Sequence, residues 1–216
     1  MKTGIIFDLD GTLLDTLTDL ADAVNHILRK YRCPERSKAE VRSFLGYGAR
    51  NLVRQSLPED LDELDEEVIF QDFRQYYSAN SLVKTCPYEG IPEALAQLGK
   101  KYALAVVSNK PDSMTKPLCQ SFFGDIYAMG EQAGIPRKPA PDMILKAMAD
   151  IGVERCIYVG DSEVDILTAR NAGVPCLSVL WGFRDRDCLV EAGGKYFCED
   201  PHQLPALIEK ILEDGE

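Results

Sequence analysis

The 216-residue sequence is short of positive charge, with 24 Lys and Arg against 35 Asp and Glu and a formal net charge of −11. A chain this acidic repels nucleic-acid backbones, so DNA or RNA is not the expected partner. It repels a phosphorylated small molecule as well, so local cations must offset the field wherever such a ligand binds. Long hydrophobic runs are missing: nothing approaches the roughly 20 apolar residues that cross a bilayer. The apolar stretch near the start is broken by Asp8 and Asp10. A signal peptide needs that stretch intact, so neither export nor a membrane partner is expected, and the cytoplasm is the default. The seven cysteines are Cys33, Cys86, Cys119, Cys156, Cys176, Cys188 and Cys198, with no C-x-x-C among them. An odd count without that spacing argues against a disulfide framework and against a zinc site. Seven thiols fit a reducing compartment, and Cys156 and Cys176 fall in strand-like runs that read as core. Internal repeats and low-complexity linkers are also lacking.

What is present begins at Gly4. The run Gly4-Ile5-Ile6-Phe7-Asp8-Leu9-Asp10-Gly11-Thr12 is apolar and β-prone, then closes on two acids and a glycine. It reads as a buried strand. Side chains alternate along a strand, so Asp8 and Asp10 start on one side and Leu9 packs on the other. Burying a carboxylate without a partner is costly, so this strand end calls for a cation. An acidic pocket at the carboxyl end of a strand is where open α/β sheets place ligands. An Asp-Gly turn without further purpose is the plain alternative.

From Thr16 the period becomes helical. Leu17, Leu20, Ala21, Val24, Ile27 and Leu28 mark a first helix, with Thr16 and Asp19 spaced as a capping box. Helical patterns follow over Lys38–Leu45, Ala49–Leu57 and Leu61–Ala79, broken at Gly46-Tyr47-Gly48 and Leu57-Pro58. Glu59 to Glu67 holds seven acids in nine positions, which fits a solvated helix start. No strand signal appears from Thr16 to Ser81, so residues 16–81 form an all-helical insert. Residues 1–15 and 82–216 make up the main domain. There the patterns alternate: strands over Ala103–Val107, Ile126–Met129, Cys156–Val159, Cys176–Leu180 and Tyr196–Cys198, with helices between them. That alternation predicts an α/β, Rossmann-like parallel sheet. Asp200-Pro201 opens a last helix whose buried stripe is Leu204, Leu207, Ile208, Ile211 and Leu212.

Three strands end in polar groups. Ser108 and Asn109 close the second and bring donors that a reacting phosphoryl oxygen needs; a helix cap is the alternative. Lys138 sits in Arg137-Lys138-Pro139-Ala140-Pro141, where two prolines stiffen the loop. Beside Asp8 it would counter the repulsion between a carboxylate and a phosphate; otherwise it is a solvated loop lysine. Val159-Gly160-Asp161-Ser162-Glu163-Val164-Asp165 again sets acids at a strand end and in the first turn of a helix. Two acidic strand ends repel unless a divalent cation lies between them, and few carboxylates with room for water and phosphate suit Mg²⁺.

Taken in order, these four stretches resemble the four motifs of the haloacid-dehalogenase superfamily, and the match spans nearly the whole chain. The resemblance implies a Mg²⁺-dependent phosphatase acting on a small phosphorylated metabolite. It implies Asp8 as the nucleophile that forms an aspartyl-phosphate and Asp10 as general acid and then base. Ser108 and Lys138 would hold the phosphoryl group, with Asn109 nearby. Asp8, the Asp10 main-chain carbonyl and Asp161 would bind the metal, and Asp165 would orient that set. The acid at position 10 favours phosphate esters, because dehalogenases and phosphonate hydrolases of the superfamily lack it.

The resemblance also makes the helical insert a cap over the site. Its loop Gly46-Tyr47-Gly48-Ala49-Arg50 would face substrate, with Arg50 suited to a carboxylate or second phosphate; a surface arginine after a turn is the alternative. Ser108-Asn109-Lys110-Pro111, Gly160-Asp161-Ser162-Glu163-Val164-Asp165-Ile166 and Trp181-Gly182-Phe183-Arg184 are similar to the phosphoglycolate phosphatases, which more usually have Thr where Ser108 stands. Pyrophosphate and other small monoesters stay open. So does a sugar phosphomutase like β-phosphoglucomutase, although Leu20 stands where those mutases carry a histidine. A binding protein that has lost catalysis would lack the nucleophile or a metal ligand, and all are present.

Overall fold

The computed structural model describes residues 2–58 and 63–214. The described chain divides into two compact units, residues 1–14 with 87–216 and residues 15–86. The chain passes between them at Leu14–Asp15 (β2) and Cys86–Pro87 (β3), which pair as a two-stranded sheet.

The larger unit is built on a six-stranded sheet. Its strands are β1 (Thr3–Phe7), β4 (Ala103–Pro111), β5 (Tyr127–Glu131), β6 (Arg155–Gly160), β7 (Cys176–Val179) and β8 (Tyr196–Cys198), in the order β5-β4-β1-β6-β7-β8. All five pairings are parallel, so each strand end of one kind falls on the same edge. Period-two alternation assigns the faces. Ile5 and Phe7 pack with helices α5 (Ile91–Leu98), α6 (Asp112–Phe123) and α10 (Leu204–Asp214). Ile6, with Ala105, Val107 and Tyr158, packs on the other side with α7 (Asp142–Asp150) and α8 (Glu163–Ala172). Covering both faces explains why these strands are apolar throughout rather than alternating. This is the Rossmann-like α/β core that the sequence predicts.

Register brings the polar strand ends together. Phe7 is opposite Val106 on one side and Val159 on the other. Asp8 and Asp161, which follow β1 and β6, and Ser108 near the end of β4 therefore fall at one edge of the sheet.

The smaller unit holds α1 (Leu17–Lys30), α2 (Lys38–Phe44), α3 (Ala49–Ser56) and α4 (Glu63–Asn80). α1 packs on α2 and α4, and α3 bridges α2 and α4. Val24, Ile27, Leu28, Val41, Val53, Ile69 and Phe73 are buried, which follows their helical spacing.

Several local expectations are corrected. Thr16 is the residue before α1 but makes no side-chain cap. Asp19 is taken by a distant partner instead: its carboxylate accepts from the amides of Lys84 and Thr85 and from Thr85 Oγ1, at 2.9–3.0 Å. That tie holds residues 84–85 in the helical unit, so the second boundary falls after Cys86 and not after Ser81. The last helix begins as a 3-10 turn, Pro201–Gln203, capped by Asp200 at the amide of His202. A short helix α9 (Arg186–Glu191) lies between β7 and β8, where no periodicity had marked one. The acid-rich start of the Glu59–Glu67 run lies outside the described residues.

Candidate active site

The strand-end and loop residues singled out above lie in the larger unit, Arg50 in the smaller, and Asp8, Asp161, Asp165 and Lys138 come together. Asp8 follows β1, and its amide donates to Val159 O at 2.8 Å. Asp161 follows β6, and Asp165 sits in the first turn of α8. One carboxylate oxygen from each of Asp8, Asp161 and Asp165 lies within 4.8 Å of the others, and all three residues are buried. Lys138 Nζ stands among them, 2.9 Å from Asp8 Oδ1 and 2.7 Å from Asp165 Oδ1. Its aligned hydrogen bonds go to Asp165 and to Tyr158 OH. Asp8 Oδ1 is thus ion-paired but receives no well-directed hydrogen bond among the described residues.

The electrostatics follow from burial. Burial pushes Asp8 up to about 7, with Asp165 and Asp10 adding to the rise and Lys138 opposing it. Burial, Asp165 and Asp8 push Asp161 well above the usual carboxylate range, against the hydrogen bonds from Phe183 N–H and Thr12 Oγ1. For Lys138, burial works against the charge, but Asp165 and Asp8 prevail and hold it above the ordinary lysine range. Three carboxylates and one ammonium leave two formal negative charges in a low-dielectric site. Without a cation the site takes up protons; a divalent cation matches the deficit. The donor set, all oxygen and buried, with an oxygen of Asp8 lacking an aligned partner, fits Mg²⁺.

The sequence packs tightly to make this arrangement. Gly11 has φ +87°, and a Cβ there would stand 2.4 Å from Asp161 Oδ2. Only glycine both adopts that backbone and clears that carboxylate. A Cβ on Gly182 would come within 2.3 Å of Asp161 Cβ. Asp161 is then fixed from two sides, by Thr12 Oγ1 at 3.1 Å and by the Phe183 amide at 2.7 Å. Trp181 Nε1 donates to Thr12 O at 3.0 Å and so braces the same turn.

The comparisons with known proteins now bear on this geometry. Residues 5–179 match the family described as haloacid dehalogenase-like hydrolase. The chain belongs to the haloacid dehalogenase-like hydrolases. A phosphoglycolate phosphatase of Mesorhizobium japonicum is 34% identical over 193 residues, covering 84% of each chain. An N-acetylmuramic acid 6-phosphate phosphatase of Pseudomonas aeruginosa is 29% identical, over 97% of this chain and 96% of that one. The crystal structure of a candidate phosphoglycolate phosphatase from Lactobacillus delbrueckii subsp. bulgaricus superimposes with a TM-score of 0.88 at 33% identity, covering 96% and 98%. Within the haloacid dehalogenase-like hydrolases, the chain is a phosphoric monoester hydrolase similar to the phosphoglycolate phosphatases.

Ser108 and Asn109 lie inside β4 and not at a helix cap, since α6 starts after Pro111. Asn109 clamps the lysine loop: its Nδ2 donates to Lys138 O at 3.0 Å and its Oδ1 accepts from Lys138 N at 2.9 Å. Lys138 is 2% exposed, which rules out a solvated loop lysine. Asp165 Oδ2 accepts from Ser162 N and Oγ, so both of its oxygens are held. The Asp10 carboxylate stays out of the three-acid cluster and pairs with Lys110. Arg50 belongs to the helical unit, where it pairs with Glu67 at 2.6 Å and lies over the Phe70 ring.

Two residues escaped sequence reasoning. Tyr158 is fully buried in β6, and its hydroxyl accepts from Lys138 while facing Val107 O and Asp165 Oδ1 at 3.2 Å. The signal was a tyrosine inside an apolar strand, whose hydroxyl needs a partner. The other is Lys110, considered further below.

Proposed function

We propose that the chain hydrolyses a small phosphate monoester with Mg²⁺ through an aspartyl-phosphate on Asp8, and that phosphoglycolate is its leading substrate. The observation that carries this is the buried convergence of Asp8, Asp161 and Asp165 on one spot with Lys138 against Asp8. Asp8, Asp161 and the Asp10 main-chain carbonyl would hold the cation, with Asp165 fixing the set. Bound there, Mg²⁺ supplies charge neutralisation for the transferring phosphoryl group.

The chain's own residues do the rest. The Asp8 carboxylate attacks phosphorus while the ester P–O bond breaks. Asp10 gives a proton to the departing oxygen. Water then attacks the aspartyl-phosphate, Asp10 takes its proton, and the Asp8 carboxylate leaves with inorganic phosphate released. Lys138 and Ser108 hold the phosphoryl oxygens, and Asn109 keeps Lys138 in place. A carboxylate fixed by packing replaces a mobile water as first nucleophile, which is an orientation gain. The relatives' names supply the substrate class: one acts on phosphoglycolate, another on N-acetylmuramic acid 6-phosphate. Both are phosphate monoesters of carboxylate-bearing molecules. An arginine such as Arg50, in the proposed cap, suits that carboxylate.

The test is phosphate release from phosphoglycolate, pyrophosphate and hexose 1-phosphates, with Mg²⁺ and with EDTA. Phosphoglycolate should be turned over fastest, and only with Mg²⁺. Asp8→Asn should lower kcat by at least ~10⁴-fold, as loss of a nucleophile does elsewhere. Undiminished release by that variant would end the aspartyl-phosphate reading. An isomerised sugar phosphate as product would replace it with a mutase.

A further inference from the structure

Each of the two acids at the end of β1 has its own buried ammonium. Lys138 serves Asp8. Lys110, with a side chain 3% exposed, reaches both oxygens of Asp10, at 3.0 and 3.2 Å. Its position is constructed by the backbone. β4 and β5 pair regularly through Val107 and Met129, then rejoin at Pro111 and Glu131. Four steps along β4 thus oppose two along β5, a bulge spanning Ser108–Lys110. Such bulges re-aim side chains beside active sites.

The bulge is locked on three sides. Lys110 N donates to Ser108 Oγ at 3.2 Å. Lys110 O accepts from Thr115 Oγ1 at 3.1 Å, and Thr115 is fully buried. Gly130 of β5 lies so close that a Cβ there would stand 2.4 Å from Lys110 O. A buried lysine is costly unless its N–H groups find acceptors, and both carboxyl oxygens of Asp10 accept from it. Asp10 follows Asp8 by two residues, yet its carboxyl is held by a different lysine from the one that pairs with Asp8. Contact with both of its oxygens fixes where the Asp10 carboxyl points.

We propose that Lys110 is a positioning residue for the acid–base step: by chelating Asp10 it holds that carboxyl on the leaving-group side of the phosphoryl group. This rests on the proposed function, because it gives Asp10 its partner in proton transfer. It predicts a dependence on the leaving group. Phosphoglycolate expels an alkoxide-like oxygen and needs a well-aimed proton donor. p-Nitrophenyl phosphate expels a stable phenolate and needs little help.

The experiment compares wild type, Lys110→Met, Asp10→Asn and the double variant on both esters with Mg²⁺. It reads kcat/KM, which reports the steps up to the first irreversible one. Lys110→Met should lose ~10²-fold on phosphoglycolate, the lower range of a general acid's contribution, and less than ~10-fold on the nitrophenyl ester. In the Asp10→Asn background the same change should cost less than about twofold, because a residue acting through another adds nothing once that other is gone. An equal loss on both esters, or losses that multiply in the double variant, would overturn the assignment. If Lys110→Met fails to fold, Lys110→Gln, which can still donate to Asp10, takes its place: a larger loss on phosphoglycolate than on the nitrophenyl ester supports the assignment, and an equal loss on both overturns it. If Asp10→Asn keeps wild-type rates, or wild type cleaves neither ester, the proposed function falls and this assignment falls with it.

Discussion

Gly11 shows how much of the site depends on one missing Cβ. Its φ of +87° and the 2.4 Å clearance to Asp161 Oδ2 act together. Gly11→Ala must either shift the turn that follows Asp10 or displace Asp161. A misplacement of about 1 Å costs roughly 10²-fold in rate, so kcat/KM should fall by at least that factor with the fold intact by circular dichroism. Wild-type kcat/KM in this variant would mean the turn absorbs the strain without moving the acids. At this scale the sequence was legible where chemistry is local. Asp8, Asp10, Asp161 and Asp165 stand at strand ends in patterns that announce a cation. Lys138 was not legible from its own stretch, which reads more readily as a solvated loop lysine; only the family resemblance pointed to it. Lys110 was not legible either, because its partner is 100 residues away and nothing adjacent distinguishes it from a solvated lysine.

Elements were legible in proportion to their periodicity. The apolar strands and the stripe of α1 follow from spacing alone. Short pieces such as β2, β3 and α9 carry too few residues to show a period. The predicted cap at Thr16 failed for a different reason: a tertiary partner outcompeted the local one. Asp19 faces residues 84–85 and accepts from three donors there, the Lys84 amide being shared between its two oxygens. A charged acceptor is worth about 1.5–3 kcal/mol per bond at most, and removing it strands buried donors. Asp19→Ala should therefore destabilise the protein by roughly 2–4 kcal/mol, seen as a lower urea midpoint. Glu35→Ala, which breaks only the exposed pair with Arg29, should shift it by less than about 0.5 kcal/mol. Equal shifts would show that the Asp19 tie adds nothing beyond an exposed ion pair.

For the molecule as a whole, the parallel α/β core was readable from the alternation of patterns. What no single stretch conveys is that an acidic chain gathers three buried carboxylates around one ammonium. Burial pushes Asp8 to about 7, while in the unfolded chain it titrates near the ordinary value of about 4. Between those values the folded state binds more protons than the unfolded state. The contribution of Asp8 to stability without metal therefore falls as pH rises from about 4 to about 7, then levels off. Three units correspond to at most about 4 kcal/mol. Asp8→Asn removes this contribution, so in EDTA its Tm should gain on that of wild type across this window and hold a constant lead above it. On the proposed function a cation replaces the protons, so its binding should release protons below pH 7. The rise in Tm that Mg²⁺ brings to wild type, which follows its occupancy, should be small at pH 5 and largest at pH 8. A rise in Tm that is the same at both pH values would mean that protons and Mg²⁺ do not share these oxygens, and the cluster would then be a structural ion-pair network rather than a metal centre.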